Sequence, residues 1–173
     1  VFGAAATLGR LYIVGGASER IAGRGDSAVF SAAISATGSL GRWRAEAPLP
    51  DGRYQVLAAA WGGWLFAVGG YQGSPRDEVF ASRLGKGGIL GAWRLAGRIP
   101  AGCTMPGVAV AEGFLHVAAC SSAGGQVHAL FSAPLTDDGG LGEWRRTPLP
   151  EESGAGNAVV LDGRRLLLVG GTP

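Results

Sequence analysis

A tryptophan returns at a nearly fixed interval in this chain, each time inside the same short string. The three copies are Gly41-Arg42-Trp43-Arg44, Gly91-Ala92-Trp93-Arg94 and Gly142-Glu143-Trp144-Arg145. Trp43 to Trp93 is 50 residues and Trp93 to Trp144 is 51. A period of this size means one supersecondary unit copied and stacked, because so short a unit cannot bury its own hydrophobic face.

The second copy reads most plainly. Val56 to Ala60 is a short apolar run, Gly62-Gly63 a turn, and Trp64-Leu65-Phe66-Ala67-Val68 a second run that ends at Gly69-Gly70. Two apolar runs joined by a glycine turn predict a β-hairpin, and strands apolar on both faces must be covered on both. Glu78 to Leu84 is read as a third strand and Ala92-Trp93-Arg94 as the start of a fourth. Ile99-Pro100 closes the unit, since proline cannot donate to a ladder. The grammar recurs. Leu11 to Gly16 and Leu166 to Gly171 match Leu65 to Gly70, whereas Leu115 to Cys120 fills the same slot without the glycine pair. Val29-Phe30, Val79-Phe80 and Leu130-Phe131 correspond, as do Leu49-Pro50, Ile99-Pro100 and Leu149-Pro150. Gly15 to Gly69 is 54 residues, and the extra ones fall in a longer loop between Gly16 and Val29.

Four short strands per unit of this length is the pattern of a β-propeller blade. On its glycine pairs (Gly15-Gly16, Gly69-Gly70, Gly170-Gly171) and its tryptophans (Trp43, Trp93, Trp144), the chain resembles the kelch-repeat family over nearly its whole length. It departs from it before each tryptophan, where the family's usual tyrosine is missing and Gly-x-Leu-Gly-x-Trp stands instead at 38–43 and 139–144. In this it looks like the kelch-like variants of bacterial secreted and surface proteins. The resemblance implies an all-β fold with each tryptophan wedged between adjacent blades. Function it leaves open, because the fold hosts both enzymes and binding scaffolds.

The expected organisation is one partial propeller domain over residues 1–173. Blade 1 covers about 4–46, blade 2 about 56–96, blade 3 about 107–147, and a half blade about 157–171. Three and a half blades is fewer than the ~4–8 of closed propellers, and an open arc exposes two apolar sheet faces. Three completions compete: further blades of a longer propeller, a second copy closing the ring, or a different protein capping the arc. Charged residues are 16% of the chain, against a typical ~25%, which agrees with a partly covered surface. The net charge of +2 forms no basic stripe, so nucleic acid is not an expected partner. The uncharged run Tyr54–Pro75 is long enough for a membrane helix, but two glycine pairs interrupt it and the matching stretch of the next repeat carries Glu112. A buried hairpin explains both, and no membrane span is expected.

Several groups of residues invite a chemical reading. His116 and His128 stand on neighbouring strands of blade 3, yet no carboxylate or thiolate supports them at a ligand spacing, so no metal is expected. Asp137-Asp138-Gly139-Gly140 lacks the further oxygen ligands calcium needs and reads as a turn. Gly23-Arg24-Gly25-Asp26-Ser27 contains an adhesion-type tripeptide whose composition suits any turn. No Walker loop, nucleophile elbow or His-Glu-x-x-His string is present, and no cofactor is expected. Cys103 and Cys120 are the two cysteines. A hairpin turning near Glu112-Gly113 places both thiols near one end of adjacent strands. There they form either a disulfide, marking an oxidising compartment, or a pair of small buried apolar residues.

In kelch binding proteins ligands meet the loops after the glycine pair and those leading into the first strand. The resemblance therefore points to Ser18, Arg20, Tyr71, Gln72 and Arg76 from the first loop set, with Arg53 and Tyr54 from the second. Arg and Tyr dominate binding hot spots. The expected function is a non-enzymatic interaction or structural module, a subunit or fragment of a larger extracytoplasmic assembly (secreted, periplasmic or on the cell surface). Its partner would be a protein or the remaining blades. The alternative is a carbohydrate-binding or sugar-isomerising protein resembling sialic-acid mutarotases, with a glycan as ligand.

Overall fold

The computed structural model describes residues 2–17, 25–162 and 165–172. Among the described residues, fourteen strands form four consecutive antiparallel sheets. The first contains β1 (Gly3–Thr7), β2 (Arg10–Val14), β3 (Val29–Ala33) and β4 (Arg44–Ala45). The second contains β5 (Leu57–Trp61), β6 (Trp64–Val68), β7 (Arg76–Leu84) and β8 (Leu90–Cys103). The third contains β9 (Gly107–Ala111), β10 (Phe114–Ser122), β11 (Gly125–Pro134) and β12 (Arg145–Pro148). A two-stranded sheet follows, β13 (Ala155–Asp162) and β14 (Arg165–Thr172). Strand order follows chain order in each, so every sheet is a meander.

The first hairpin of each full sheet closes the same way. Thr7 pairs with Arg10, Trp61 with Trp64 and Ala111 with Phe114. The two residues between them have positive φ: Leu8-Gly9, Gly62-Gly63 and Glu112-Gly113. Two such residues in a row make the type I′ turn, whose twist matches that of the flanking strands. At the other end of the hairpin of the second sheet, the glycine pair meets the end of that sheet's last strand. A Cβ on Gly69 would lie 2.5 Å from the Cys103 carbonyl oxygen, and the Gly70 N–H donates to that oxygen at 2.8 Å. Only a residue without a side chain fits there. In the third sheet, where the glycines are replaced, Ala119 takes a φ of 34°. The ladder shifts register between Ala118 and Cys120, and β10 runs on to Ser122. A β-bulge there does the work of the glycine pair.

The fourth strand of the second sheet differs from the sequence expectation. It does not end at Ile99-Pro100; β8 continues through Pro100 to Cys103, which pairs with Arg76 at the start of β7. The pairing is broken by three register shifts, and β8 is an edge strand, where a missing proline N–H costs no ladder bond.

Two cores lie between the sheets. One joins Tyr12, Val14, Val29 and Leu49 of the first sheet and its following loop to Val56, Leu65, Ala67 and Leu90 of the second. The other joins Phe66, Val68, Val79 and Ile99 to Leu115, Val117, Ala129 and Phe131. Trp93 packs against the first core and its indole N–H donates to the Ala47 carbonyl at 2.8 Å, so it wedges against the preceding sheet. Trp144 packs against the second core in the same sense. Trp43 occupies the corresponding position of the first sheet and is 43% exposed; among the described residues no preceding sheet packs against it. Phe30 repeats the pattern. Its counterpart Phe80 packs on the first core, whereas Phe30 is exposed. The last sheet also has an uncovered apolar side, with Val160, Leu167 and Val169 exposed on one face.

Cys103 and Cys120 form a disulfide with a Cα–Cα distance of 5.3 Å. Because β8 extends so far, the bond ties the last strand of the second sheet to the second strand of the third. Among the described residues no helix is long and apolar enough to cross a membrane.

Candidate functional site

The loop from Asp51 to Val56 leaves the first sheet, passes the Gly69-Gly70 end of β6 and enters β5. It carries two of the residues singled out from the sequence, Arg53 and Tyr54. The facing loop after the glycine pair carries Tyr71 and Gln72, and Arg76 opens β7. The fold brings these five together at the junction of the first two sheets. Ser18 and Arg20 lie outside the described residues.

Arg53 does not face solvent. Its side chain is fully buried. Nε and Nη2 donate to Asp51 Oδ1, Nη1 donates to the Gly69 carbonyl at 3.0 Å, and Nη2 stands 3.7 Å from Glu78 Oε2. The guanidinium also sits 4.7 Å from the centre of the Phe80 ring. The enclosure depends on Gly25, where a Cβ would collide with the Arg53 backbone at 2.1 Å; only glycine lets the 25–28 segment cross so closely. Arg76 Nη2 bridges Asp51 Oδ2 at 3.1 Å and Glu78 Oε1 at 3.0 Å. Arg98 adds contacts to Asp77 and Glu78. Three cations and three carboxylates thus pair with one another, although Arg76 Nε and Glu78 Oε2 are buried without a hydrogen-bond partner, and Arg53 and Arg76 hold the loops rather than present charge.

The slot that Arg53 fills is repeated. Arg53, Cys103 and Gly154 each follow their repeat tryptophan by ten residues, and each meets the end of the second strand of the next sheet. Arg53 bonds the Gly69 carbonyl, Cys103 is bonded covalently to Cys120, and the Gly154 carbonyl lies 2.6 Å from where a Gly171 Cβ would stand. One position in the architecture is therefore closed by a buried ion network, by a disulfide, or by bare backbone.

Tyr54 and Tyr71 form the accessible part. Their backbones exchange hydrogen bonds, Tyr54 N–H to the Tyr71 carbonyl at 3.2 Å and Tyr71 N–H to the Tyr54 carbonyl at 2.8 Å. Their ring centroids are 5.4 Å apart with planes inclined at 53°. Both are partly exposed. Gln72 is anchored by its oxygen, which accepts the Gly25 N–H at 2.9 Å. Gln55, held at a φ of 56°, is anchored likewise by the Thr104 hydroxyl. Sequence reasoning missed Asp51, Gln55, Glu78 and Thr104. Asp51 and Gln55 flank Arg53-Tyr54, the one signal available; Glu78 and Thr104 reach the site only through tertiary approach.

The other sequence candidates are dispersed. His116 pairs in register with Ser132, and its Nδ1 lies 2.9 Å from the Ser132 hydroxyl. Burial pushes its pKa below the usual imidazole value, against a smaller opposing effect from the Ala111 backbone. His128 sits four residues away along β11, with Nδ1 2.6 Å from the Ser153 carbonyl oxygen. The two rings do not share a site. Among the described residues no group of three or more His, Cys, Asp or Glu side chains converges. Thr136 to Gly140 is a hydrogen-bonded turn, and the Asp138 carboxyl is held below its usual range chiefly by the Thr136 hydroxyl. That turn seats Trp64, whose indole N–H donates to the Asp137 carbonyl at 3.1 Å. In the Gly23–Ser27 string, Gly23 and Arg24 lie outside the described residues. Asp26 is engaged locally, its Oδ1 accepting the Ala28 N–H.

No protein-family model matches the chain, and no curated protein does. Among solved structures it is similar to YjhT, with a TM-score of 0.75 and 17% sequence identity. The match covers 98% of this chain and 58% of that one, so the chain spans little more than half the length of YjhT. A likeness at that identity speaks for the fold alone. The chain is all-β, an arc of a β-propeller.

Proposed function

We propose that this arc is a non-enzymatic, kelch-type interaction and structural module whose two open faces dock onto further propeller blades. The observation that carries the reading is the repeated wedge. Trp93 and Phe80 are packed on a preceding sheet, while Trp43 and Phe30, at the same positions one repeat earlier, are exposed. A face built to the same pattern as an occupied interface is an interface. A ring of the size of YjhT sets the scale of the proposed complement. About 170 residues of this chain correspond to 58% of YjhT, which makes YjhT about 290 residues, or about six units of this period. For a ring of that size, about two and a half further blades would complete the arc. The buried disulfide supports an extracytoplasmic location. The sugar-isomerising alternative needs Arg53 free to meet a substrate. With Arg53 enclosed and paired, that reading loses its principal cation.

Light scattering of the isolated 173-residue chain tests the proposal. The chain should associate as its concentration rises, and a variant with charged end faces, Trp43→Lys with Val169→Lys, should remain monomeric. A wild-type chain that stays monomeric at high concentration would overturn it.

A further inference from the structure

We infer that the edge of β14 and the side chain of Arg145 form a docking site for a β-hairpin of the repeat's own pattern, which adds a third and a fourth strand to the last sheet. This rests on the interaction-module reading and names the structure of the partner at one end of the arc. In the three full sheets the second strand lies between two others, and in the second sheet that strand, β6, is buried throughout. β14 holds the same place in the last sheet. Among the described residues it pairs with β13 alone, and it is mostly exposed. Its run Leu166-Leu167-Leu168-Val169 carries no charge, and an apolar edge of this kind accepts an added strand. The glycine that ends the strand agrees. A Cβ on Gly15 would meet the Asp26 and Arg53 carbonyl oxygens at 3.4 and 2.6 Å, and one on Gly69 those of Arg76 and Cys103 at 3.5 and 2.5 Å. The first of each pair belongs to the entry of the third strand, the second to the chain at or beyond the end of the fourth. Gly170 keeps the same left-handed conformation, with a φ of 75° against 63° and 61°, yet a Cβ there would find open space within 4 Å. A third and a fourth strand would bring both neighbours.

The arginine of the repeated string supplies the anchor. Arg44 Nη2 donates to the Gly88 carbonyl at 2.9 Å, and Arg94 Nη2 donates to the Asp138 carbonyl. Both carbonyls lie in the turn between the third and fourth strands of the following sheet. The two turns are built alike: Gly85 N–H bonds the Ile89 carbonyl and Gly88 N–H the Gly85 carbonyl, as Thr136 N–H bonds Gly140 and Gly139 N–H bonds Thr136. In the second sheet the string therefore works in both directions, Trp93 packing back on the preceding sheet and Arg94 reaching forward to the next turn. Arg145 is the third such arginine. It stands opposite Ser132, which stands opposite His116. Leu115, Val117 and Phe131, at alternate positions, pack on the second core, so this row faces the other way, where His116 lines an opening with Leu161 and Leu166 of the last sheet. Arg145 is exposed. The turn that it would hold belongs to the added hairpin, whose carbonyls are the acceptors that a guanidinium bonds.

The test supplies such a hairpin. The chain's own residues 71–100, which carry β7, its turn and Trp93, are joined after Gly171 in place of Thr172-Pro173. Hydrogen exchange of peptides covering β14 is read by mass spectrometry in this extended chain, in the original chain diluted to monomer, and in the protein from its native source. β14 should take up deuterium about tenfold more slowly in the extended chain and in the native protein than in the original chain. Arg145→Ala should lower the urea midpoint of the extended chain and leave that of the original unchanged. Arg146→Ala, on the opposite side of β12, should act equally on both. A β14 that exchanges equally with and without the hairpin, a β14 equally open in the native protein and the original chain, or an Arg145→Ala shift no larger with the hairpin than without it would each overturn the inference. The end-face reading is judged by association of the original chain, which none of these measurements reads, so the two proposals fail separately.

Discussion

Replacing Arg53 by methionine should be among the most damaging single changes in the chain, although the residue lies in a loop. Methionine keeps most of the volume and removes the charge. The guanidinium contributes bonds to Asp51 Oδ1, the bond to the Gly69 carbonyl and the approach to Glu78 Oε2. Removing one member of a buried ion pair typically costs ~3–5 kcal/mol. Here the loss is smaller, because Arg76 still stands 3.1 Å from Asp51 and 3.0 Å from Glu78, and Asp51 is partly exposed. The Gly69 carbonyl loses a charged donor, roughly 1 kcal/mol of the total. The expected destabilisation is about 2–3 kcal/mol, read from urea unfolding as a shift in midpoint at constant m-value. Asp51→Asn should then cost at least ~1 kcal/mol less in the Arg53→Met background than in the wild type, because the two groups act as a pair. A loss under ~1 kcal/mol for Arg53→Met, or strict additivity of the two changes, would refute the assignment of Arg53 as the buried keystone of this junction.

Three further predictions follow from the same structure. Trp93→Ala should cost about 3 kcal/mol in the isolated chain, through lost packing and the bond to Ala47, and Trp43→Ala less than ~1 kcal/mol; equal losses in parallel unfolding curves would mean the wedge is misassigned. Reducing the Cys103–Cys120 bond, whose cysteines are 17 residues apart, should lower stability by about 3 kcal/mol, measured as a fall in melting temperature with reductant. The Glu46 carboxyl is pushed up by burial. The Ser31 hydroxyl, the Leu90 N–H and Arg44 outweigh that and hold its pKa below the ordinary value. Its contribution is therefore present above the unfolded-state pKa and lost as pH falls through the folded one. Glu46→Gln should flatten the acid limb of the stability profile, and an unchanged limb would count against this network.

Much of the architecture could be read from residues that repeat. The tryptophan period, the glycine pairs and the two-residue turns are backbone requirements, so each leaves a mark in the same column of every unit. Arg53 is different. It follows Asp51-Gly52 in a loop, where an arginine reads as solvated, and the resemblance placed it among ligand contacts. Its burial comes from Gly25 and Glu78, 28 residues before it and 25 after, and nothing local announces that approach. The extension of β8 past Pro100 was hidden for a similar reason. A proline marks the end of a ladder only where its N–H would have been needed, and the outer position of that strand is a property of the whole sheet. The exposure of Trp43 was also invisible in its own string, which is identical in kind to those of Trp93 and Trp144; only the absence of a sheet beside it sets it apart.

The central claim is that the end faces are interfaces. Hydroxyl-radical footprinting with mass spectrometry tests it most directly, comparing the protein from its native source with the isolated 173-residue chain. The account predicts that Trp43 oxidises rapidly in the isolated chain at a dilution where it is monomeric, and as slowly as Trp93 in the native protein. Rapid oxidation of Trp43 in both would contradict it.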